Sequence, residues 1–95
     1  VFAERHGVRP DGSRVTHYYV QESVGIAMGM LITALHHVGL AALTHTPSPM
    51  GFLNEILGRP SRDKATLLLV VGFPAPDAQV PDIVRKPLNQ VISWR

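Results

Sequence analysis

The chain has 95 residues, 45% of them hydrophobic and 17% charged, a composition typical of one small domain that forms a core. Nine Lys and Arg against seven Asp and Glu leave a formal charge of +2, which is too small to indicate nucleic acid or another polyanion as a partner. The absence of cysteine excludes disulfides, thiolate catalysis and Cys-ligated metal centres, and it fits a reducing compartment, so we expect a cytoplasmic protein.

The N-terminal residues predict the end of a strand followed by a loop. Val1, Phe2 and Ala3 form an apolar run without an initiator Met, and we interpret the chain as a fragment of a longer protein. The run Arg9–Gly12 contains a Pro that favours a turn and a Gly that tolerates positive φ. We therefore predict a loop over residues 5–14, whose three arginines fit a solvated loop better than a phosphate clamp.

A long helix is predicted over Ser23–Val38, because apolar residues recur there at helical spacing and Gly39 can end it. Apolar residues also occupy its other faces, which is typical of a helix buried inside a protein. A membrane span is the weaker reading, since Thr33, His36 and His37 interrupt the apolar run.

Two glycines in this helix form a surface that another helix could approach closely. Gly25 and Gly29 lie four residues apart, a spacing found at helix association faces. Apolar patches of this size are rare on monomers. We therefore expect a homodimer that forms through this helix.

The next segment predicts a strand over Ala41–His45, a loop and a short second helix. Ser48 is a suitable N-cap, Pro49 suits the first helical position, and Gly58 with Pro60 forms a C-terminal stop. Four apolar residues of this helix are expected to pack inward: Phe52, Leu53, Ile56 and Leu57.

The C-terminal third predicts one buried strand and an extended arm. Thr66–Phe73 is a continuous apolar run of strand length, which predicts a strand covered on both faces at the centre of a sheet. Residues 77–95 show little periodicity, and we expect this arm to dock on a partner subunit.

Three segments of the chain contain side chains that could perform chemistry. A metal site on His36, His37 and His45 is disfavoured, because adjacent helical residues point about 100° apart. Ser48 lacks the surroundings of a nucleophilic serine. The segment Thr44–Pro47 leaves two readings open, a simple turn with capping or a cofactor loop, because a strand end that leads into a helix collects hydroxyl and free N–H groups.

Six short motifs follow one another along the chain between about His17 and Leu88: Ser23–Ala27, Thr44–Pro47, Leu57–Pro60, Val71–Pro74, Val80–Asp82 and Arg85–Leu88. In this order they resemble the FMN-dependent nitroreductase family, most closely its iodotyrosine deiodinase-like branch. The resemblance implies the C-terminal half of an α+β fold, a nitroreductase-like sheet flanked by helices and truncated at the N-terminus, with an extended C-terminal arm. It also implies FMN bound at a homodimer interface, a small aromatic substrate (nitro, quinone or halogenated) and NAD(P)H as one candidate reductant.

The resemblance further implies roles for four residues. Thr44, His45 and Thr46 would contact the flavin, with the Thr46 hydroxyl donating to flavin N5 as the catalytic group. His45 stands where the family often has Thr, so its expected role is through the backbone. Arg85 would help to hold the FMN phosphate. The alternative is a truncated, non-catalytic dimerising domain without flavin, because further phosphate-binding residues and a substrate lid are implied for the N-terminal half.

Overall fold

The computed structural model describes residues 1–95 as a small α+β chain. The elements follow the chain as strand β1 (Phe2–Glu4), β2 (His6–Val8), β3 (Arg14–Thr16), helix α1 (Val20–His37), β4 (Ala41–His45), α2 (Phe52–Ile56), β5 (Asp63–Ala65) and β6 (Leu68–Gly72). One turn of 3₁₀-helix at Leu88–Gln90 follows near the C-terminus.

The strands form three separate antiparallel pairs, β1 with β5, β2 with β3, and β4 with β6. In the first pair Glu4 lies opposite Asp63. In the third pair Ala41 lies opposite Gly72 and His45 opposite Leu68. The N-terminal strand therefore pairs with a strand more than fifty residues later, which brings the start of the chain against the end of α2.

The prediction of a loop over residues 5–14 is wrong, because most of this segment forms a β-hairpin. The Gly12 N–H donates to the Arg9 carbonyl at 2.9 Å, and the Arg9 N–H donates to the Ser13 carbonyl at 2.9 Å. Gly12 has φ +82°, as a three-residue hairpin loop with a glycine at its last position requires. The turn expected at Arg9–Gly12 is confirmed, but the flanking residues join strands.

Helix α1 begins at Val20, three residues earlier than predicted, and its last residue is His37, one before the predicted end; the expected stop at Gly39 has φ +82°. Its burial differs from the expectation for a helix apolar on all faces, because Met28 is its only buried residue. A Cβ added at Gly25 or Gly29 would meet no atom within 4 Å, so the small-residue face is open. No helix of the chain combines the length and apolarity needed to cross a bilayer.

The second helix is shorter than predicted and starts later. Its N-cap is Gly51 rather than Ser48, and Pro49 lies before it in a loop whose Ser48–Pro49 peptide is cis. Of the four residues expected to pack inward only Leu53 is buried, while Phe52, Ile56 and Leu57 are exposed. Leu53 is thus the one apolar residue of α2 that is covered within this chain.

Strand β6 is not central to a sheet in this chain, in contrast to the prediction for Thr66–Phe73. It pairs with β4 alone, and its last three residues are exposed. Residues 73–95 are exposed throughout, including the large apolar side chains of Leu88, Val91, Ile92 and Trp94.

The chain is open rather than compact. Its radius of gyration is 17.7 Å, against about 12 Å for a compact domain of this length. Its accessible surface is 8259 Å², about 2,900 Å² more than the surface of about 5,400 Å² that a compact monomer of 10.4 kDa exposes. The small core consists of Ala3, Met28, Leu53 and Ala65.

Candidate functional site

The loop expected to contact a cofactor lies where β4 ends. Thr44 and His45 are the last two residues of β4, opposite Leu69 and Leu68 on β6, and Thr46 is the first residue beyond the strand. All three side chains are exposed. Alternation along the strand places Thr44 and His45 on opposite faces of the β4–β6 pair.

Several hydrogen-bond donors of this loop have no partner within the chain. Neither the Thr44 nor the Thr46 hydroxyl takes part in a hydrogen bond within the chain, as the bonds formed by side chains all lie elsewhere. The backbone N–H groups of Thr46, Ser48, Met50 and Gly51 also lack a backbone acceptor. Hydroxyl and N–H donors on successive residues can therefore bind the carbonyl or ring-nitrogen acceptors of a ligand.

No hydrogen bond or ion pair connects Arg85 to this loop. Arg85 belongs to the exposed segment after β6 that forms neither helix nor strand, and its guanidinium has no ion-pair partner among the four ion pairs of the chain. Its five N–H donors are therefore available to an anion, but the structure of this chain alone does not assemble them with the loop.

The histidines do not form a cluster. His36 and His37 end α1, and His45 ends β4. No three His, Asp or Glu side chains lie close enough together to hold a metal ion. The Ser48 hydroxyl forms no hydrogen bond to a base, and its expected capping role is wrong because α2 begins later.

Sequence reasoning missed a buried ionic corner between α2 and β5. Asp63 has 4% relative exposure and pairs with the Arg59 guanidinium four residues earlier. The guanidinium carbon of Arg59 also lies 5.7 Å from the centroid of the Phe2 ring on β1. Opposite charges four residues apart were visible in the sequence, but nothing there indicated that the carboxylate would be buried.

Asn54 closes the same corner through its side-chain amide. Its Nδ2 donates to the backbone carbonyl of Asp63 at 2.8 Å and to that of Pro60 at 3.2 Å. The backbone carbonyl of Asn54 accepts from the Arg59 backbone N–H at 2.8 Å. An open cavity of about 510 Å³ adjoins the corner, lined by residues that include Arg5, Met50, Asn54 and Lys64.

A second set of ion pairs lies at the surface beside this corner. Arg62 Nε is 3.1 Å from Glu4 Oε1, and His17 Nε2 is 3.9 Å from Glu4 Oε2. The side chains are 41% to 48% exposed, so solvent screens these pairs and each contributes little. On the hairpin, hydrogen bonds from the Ser13 side chain and backbone N–H lower the pKa of the Asp11 carboxyl.

Comparison with known proteins identifies relatives of the whole chain, although no protein-family model matches it. The iodotyrosine deiodinase of Haliscomenobacter hydrossis is 57% identical over 86 residues, which cover 90% of this chain and 39% of the relative. The iodotyrosine deiodinase of Danio rerio is 46% identical, and human iodotyrosine deiodinase 1 is 44% identical, each over 93 residues. Over most of its length, the chain is homologous to iodotyrosine deiodinases. It matches the C-terminal part of its relatives, as the motifs predicted.

The match limits what can be attributed to this chain alone. The 93 aligned residues cover 97% of the chain but 32% of the zebrafish and human deiodinases. The chain thus spans about a third of the length of these relatives. The aligned residues extend beyond His17–Leu88, so the β1–β5 pair and the N-terminal hairpin fall largely within the shared region.

Proposed function

We propose that the chain is the C-terminal part of an FMN-dependent dehalogenase that removes halogen reductively from a small aromatic substrate. The observation that carries this proposal is the match of nine tenths or more of the chain to proteins named iodotyrosine deiodinase. The relatives' name favours a halogenated aromatic over the nitro or quinone substrates that the wider family suggests. The comparisons do not support NAD(P)H as the reductant, and we do not propose it.

The residues present fit a flavin in the chemistry of their donors. The free hydroxyls of Thr44 and Thr46 and the unpaired N–H groups of the loop suit the oxygen and nitrogen acceptors of an isoalloxazine ring. The unpaired guanidinium of Arg85 suits a phosphate, which it can bind through two parallel hydrogen bonds. His45 would act through its backbone.

When bound in its reduced form, FMN would supply the two electrons that, together with a proton, replace the carbon–halogen bond by a carbon–hydrogen bond and release halide. Thr46 would hold the ring by donating its hydroxyl proton in a hydrogen bond to N5, which makes it the proposed catalytic residue. Thr44 and His45 would fix the ring plane from the end of β4, because β6 holds that strand in register. Arg85 would anchor the phosphate and so fix the depth to which the cofactor enters.

We propose in addition that a second copy of the chain takes part in the site. The area exposed beyond that of a compact monomer is about 2,900 Å² per chain, or about 5,800 Å² over two copies, which lies at the upper end of the total area that obligate partners bury. The open Gly25 and Gly29 face of α1 and the exposed arm over residues 77–95 would account for part of it. Arg85 lies on this arm, so docking of the arm on the other subunit would bring it to a site there.

The second candidate function is a dimerising domain that binds no flavin. The observation that favours it is the isolation of Arg85 from Thr44–Thr46 in this chain, since a cofactor needs both ends held. Under this hypothesis the chain would self-associate but leave FMN in solution. Both candidate functions include a dimer, and they differ in whether the chain binds FMN.

The test is an FMN titration of the purified chain, followed by gel filtration with absorbance and mass detection. The dehalogenase proposal expects flavin absorbance that elutes with protein of dimer mass and is reduced in the Thr46→Ala variant. Lys86→Ala, next to the proposed phosphate ligand, is the matched control and should bind FMN with at most a small loss. Protein without flavin absorbance at every FMN concentration would refute flavin binding by this chain.

A further inference from the structure

Asp63 is the one charged residue that this open chain buries. Only five of 95 residues are buried, and a carboxylate is among them. Removing a charge from water is costly unless the charge is paired and hydrogen-bonded. In a chain with so small a core, a buried carboxylate contributes little to stability, so we ask what the position of Asp63 does for the fold.

The partners of Asp63 join three elements at one corner. Arg59, just after α2, pairs with the carboxylate, and its guanidinium lies over the Phe2 ring of β1. Asn54, within α2, binds the Asp63 backbone carbonyl through its side-chain amide. The corner therefore connects α2 to both strands of the β1–β5 pair through side chains.

Helix α2 depends on this corner for its position. Five residues are too few for a helix to be stable by itself in water. Within α2 only Leu53 is buried. The remaining fixed contacts of α2 are the Asn54 amide bonds and, just beyond the helix, the Arg59–Asp63 pair.

The loop with the free donors spans from β4 to α2, so both of its ends must be fixed for its donors to keep one geometry. At one end, pairing with β6 fixes Thr44 and His45. At the other end, the Leu53 N–H donates to the Met50 carbonyl and the Asn54 N–H to the Gly51 carbonyl, each at 3.1 Å. The second end is therefore held only as firmly as α2.

We propose that Asn54, Arg59 and Asp63 are positioning residues for the loop Thr44–Met50, and that they set its affinity for a flavin. The consequence for the flavin rests on the proposed function, whereas the consequence for the order of the loop does not. Arg59 requires its planar guanidinium for this task, since it pairs with Asp63 and covers an aromatic ring at once.

The experiment measures backbone ¹⁵N order parameters of Thr46, Ser48 and Met50, together with the FMN dissociation constant, in the 95-residue chain. The test variants are Asp63→Asn and Asn54→Ala. The control is Val15→Ala, which weakens the β2–β3 hairpin and replaces no residue of the corner, and Arg59→Lys tests rescue by a retained charge.

The proposal expects order parameters near 0.85 in the unsubstituted chain and below about 0.6 in Asp63→Asn and Asn54→Ala. Val15→Ala should leave them unchanged, and Arg59→Lys should give values between those of the two groups. The FMN dissociation constant should rise about tenfold in the two test variants, which corresponds to about 1.4 kcal/mol. If Asp63→Asn does not fold, the order parameters and FMN affinity of Asn54→Ala alone test the proposal.

Unchanged loop order in a folded Asn54→Ala variant would overturn the positioning role, as would a loop already below about 0.6 in the unsubstituted chain. Absence of FMN binding by the unsubstituted chain would refute flavin binding by this chain but not the positioning role, because the order parameters are measured without cofactor. Loss of FMN affinity in Val15→Ala equal to that in Asn54→Ala would also contradict the proposal, since it would reflect global stability.

Discussion

Leu53 and Ile56 provide a direct test of how α2 packs, because they lie on the same short helix and the sequence predicts an inward position for both. The structure separates them. Leu53 has 8% relative exposure and Ile56 has 71%. Replacing each with Ala removes a similar apolar side chain, so any difference in the free energy of unfolding reports the difference in burial.

The expected magnitudes follow from these exposures. Leu→Ala at a buried site costs about 2–5 kcal/mol, and we expect about 2 kcal/mol for Leu53→Ala because its open surroundings can partly close around the vacated space. Ile56→Ala loses little burial and gains helix propensity, so its effect should lie within about 0.5 kcal/mol of zero. For a chain of this size, the Leu53 variant should then melt about 8–16 °C lower.

The assay is thermal unfolding followed by circular dichroism at several protein concentrations, with reversibility checked by cooling. The lowest concentration favours the monomer, and the exposures of Leu53 and Ile56 given above are those of a single chain. A loss for Ile56→Ala as large as that for Leu53→Ala at this concentration would refute the reasoning, since it would mean that Ile56 is covered within a single chain. A loss that grows with concentration would instead locate Ile56 in a contact between copies.

Four further predictions concern the proposed site and the helix face. Gly29→Ala should stabilise the monomer by up to about 1 kcal/mol, because an added Cβ meets open space, and it should weaken any dimer that uses this face, as measured by sedimentation. Thr46→Ala should weaken FMN binding about fivefold by removing one neutral hydrogen bond worth about 1 kcal/mol, as measured by flavin fluorescence. Arg85→Ala should weaken it about 10- to 100-fold, most at low salt, because hydrogen bonds to charged groups are worth about 1.5–3 kcal/mol. The pKa of Asp11 is lowered by hydrogen bonds from Ser13, so its stabilising effect is present above the unfolded pKa of about 3.9 and is lost as pH falls through the folded value; Asp11→Asn should therefore remove a small acid-induced loss of melting temperature below about pH 4.

The parts of the fold that could be predicted from the sequence are those fixed by local signals. The strand over Ala41–His45 has the predicted bounds, and Gly39 ends α1 with the positive φ that favours glycine. The hairpin was missed because its strands have three residues each, too few for an alternating pattern to show. The N-cap at Ser48 was wrong because the loop continues to Gly51 before the chain turns helical.

Part of the candidate site could also be predicted from local sequence signals, and part could not. The position of Thr44–Thr46 at a strand end followed from local pattern, and the structure adds that their hydroxyls are unpaired. Burial of Asp63 could not be predicted, because it depends on β1 pairing with β5 across some sixty residues of chain. Roles for Thr46 and Arg85 depend on a ligand and on a second surface, so they remain predictions.

The accessible surface that this chain exposes beyond that of a compact monomer, about 2,900 Å², limits which further polypeptide can pack against it. Two sources could cover it, a second copy or the other two thirds of a polypeptide as long as the relatives. A second copy would cover the same face of α1 in each chain, and its effect would vary with concentration. Additional polypeptide would cover β6 and the free edges of β4–β6 at any concentration, since unpaired sheet edges favour association until they are paired. Strand β6 is apolar along its length and half-exposed, which a dimer through α1 alone would leave unchanged. We therefore expect additional polypeptide to cover β6, and we propose a second copy for the open face of α1.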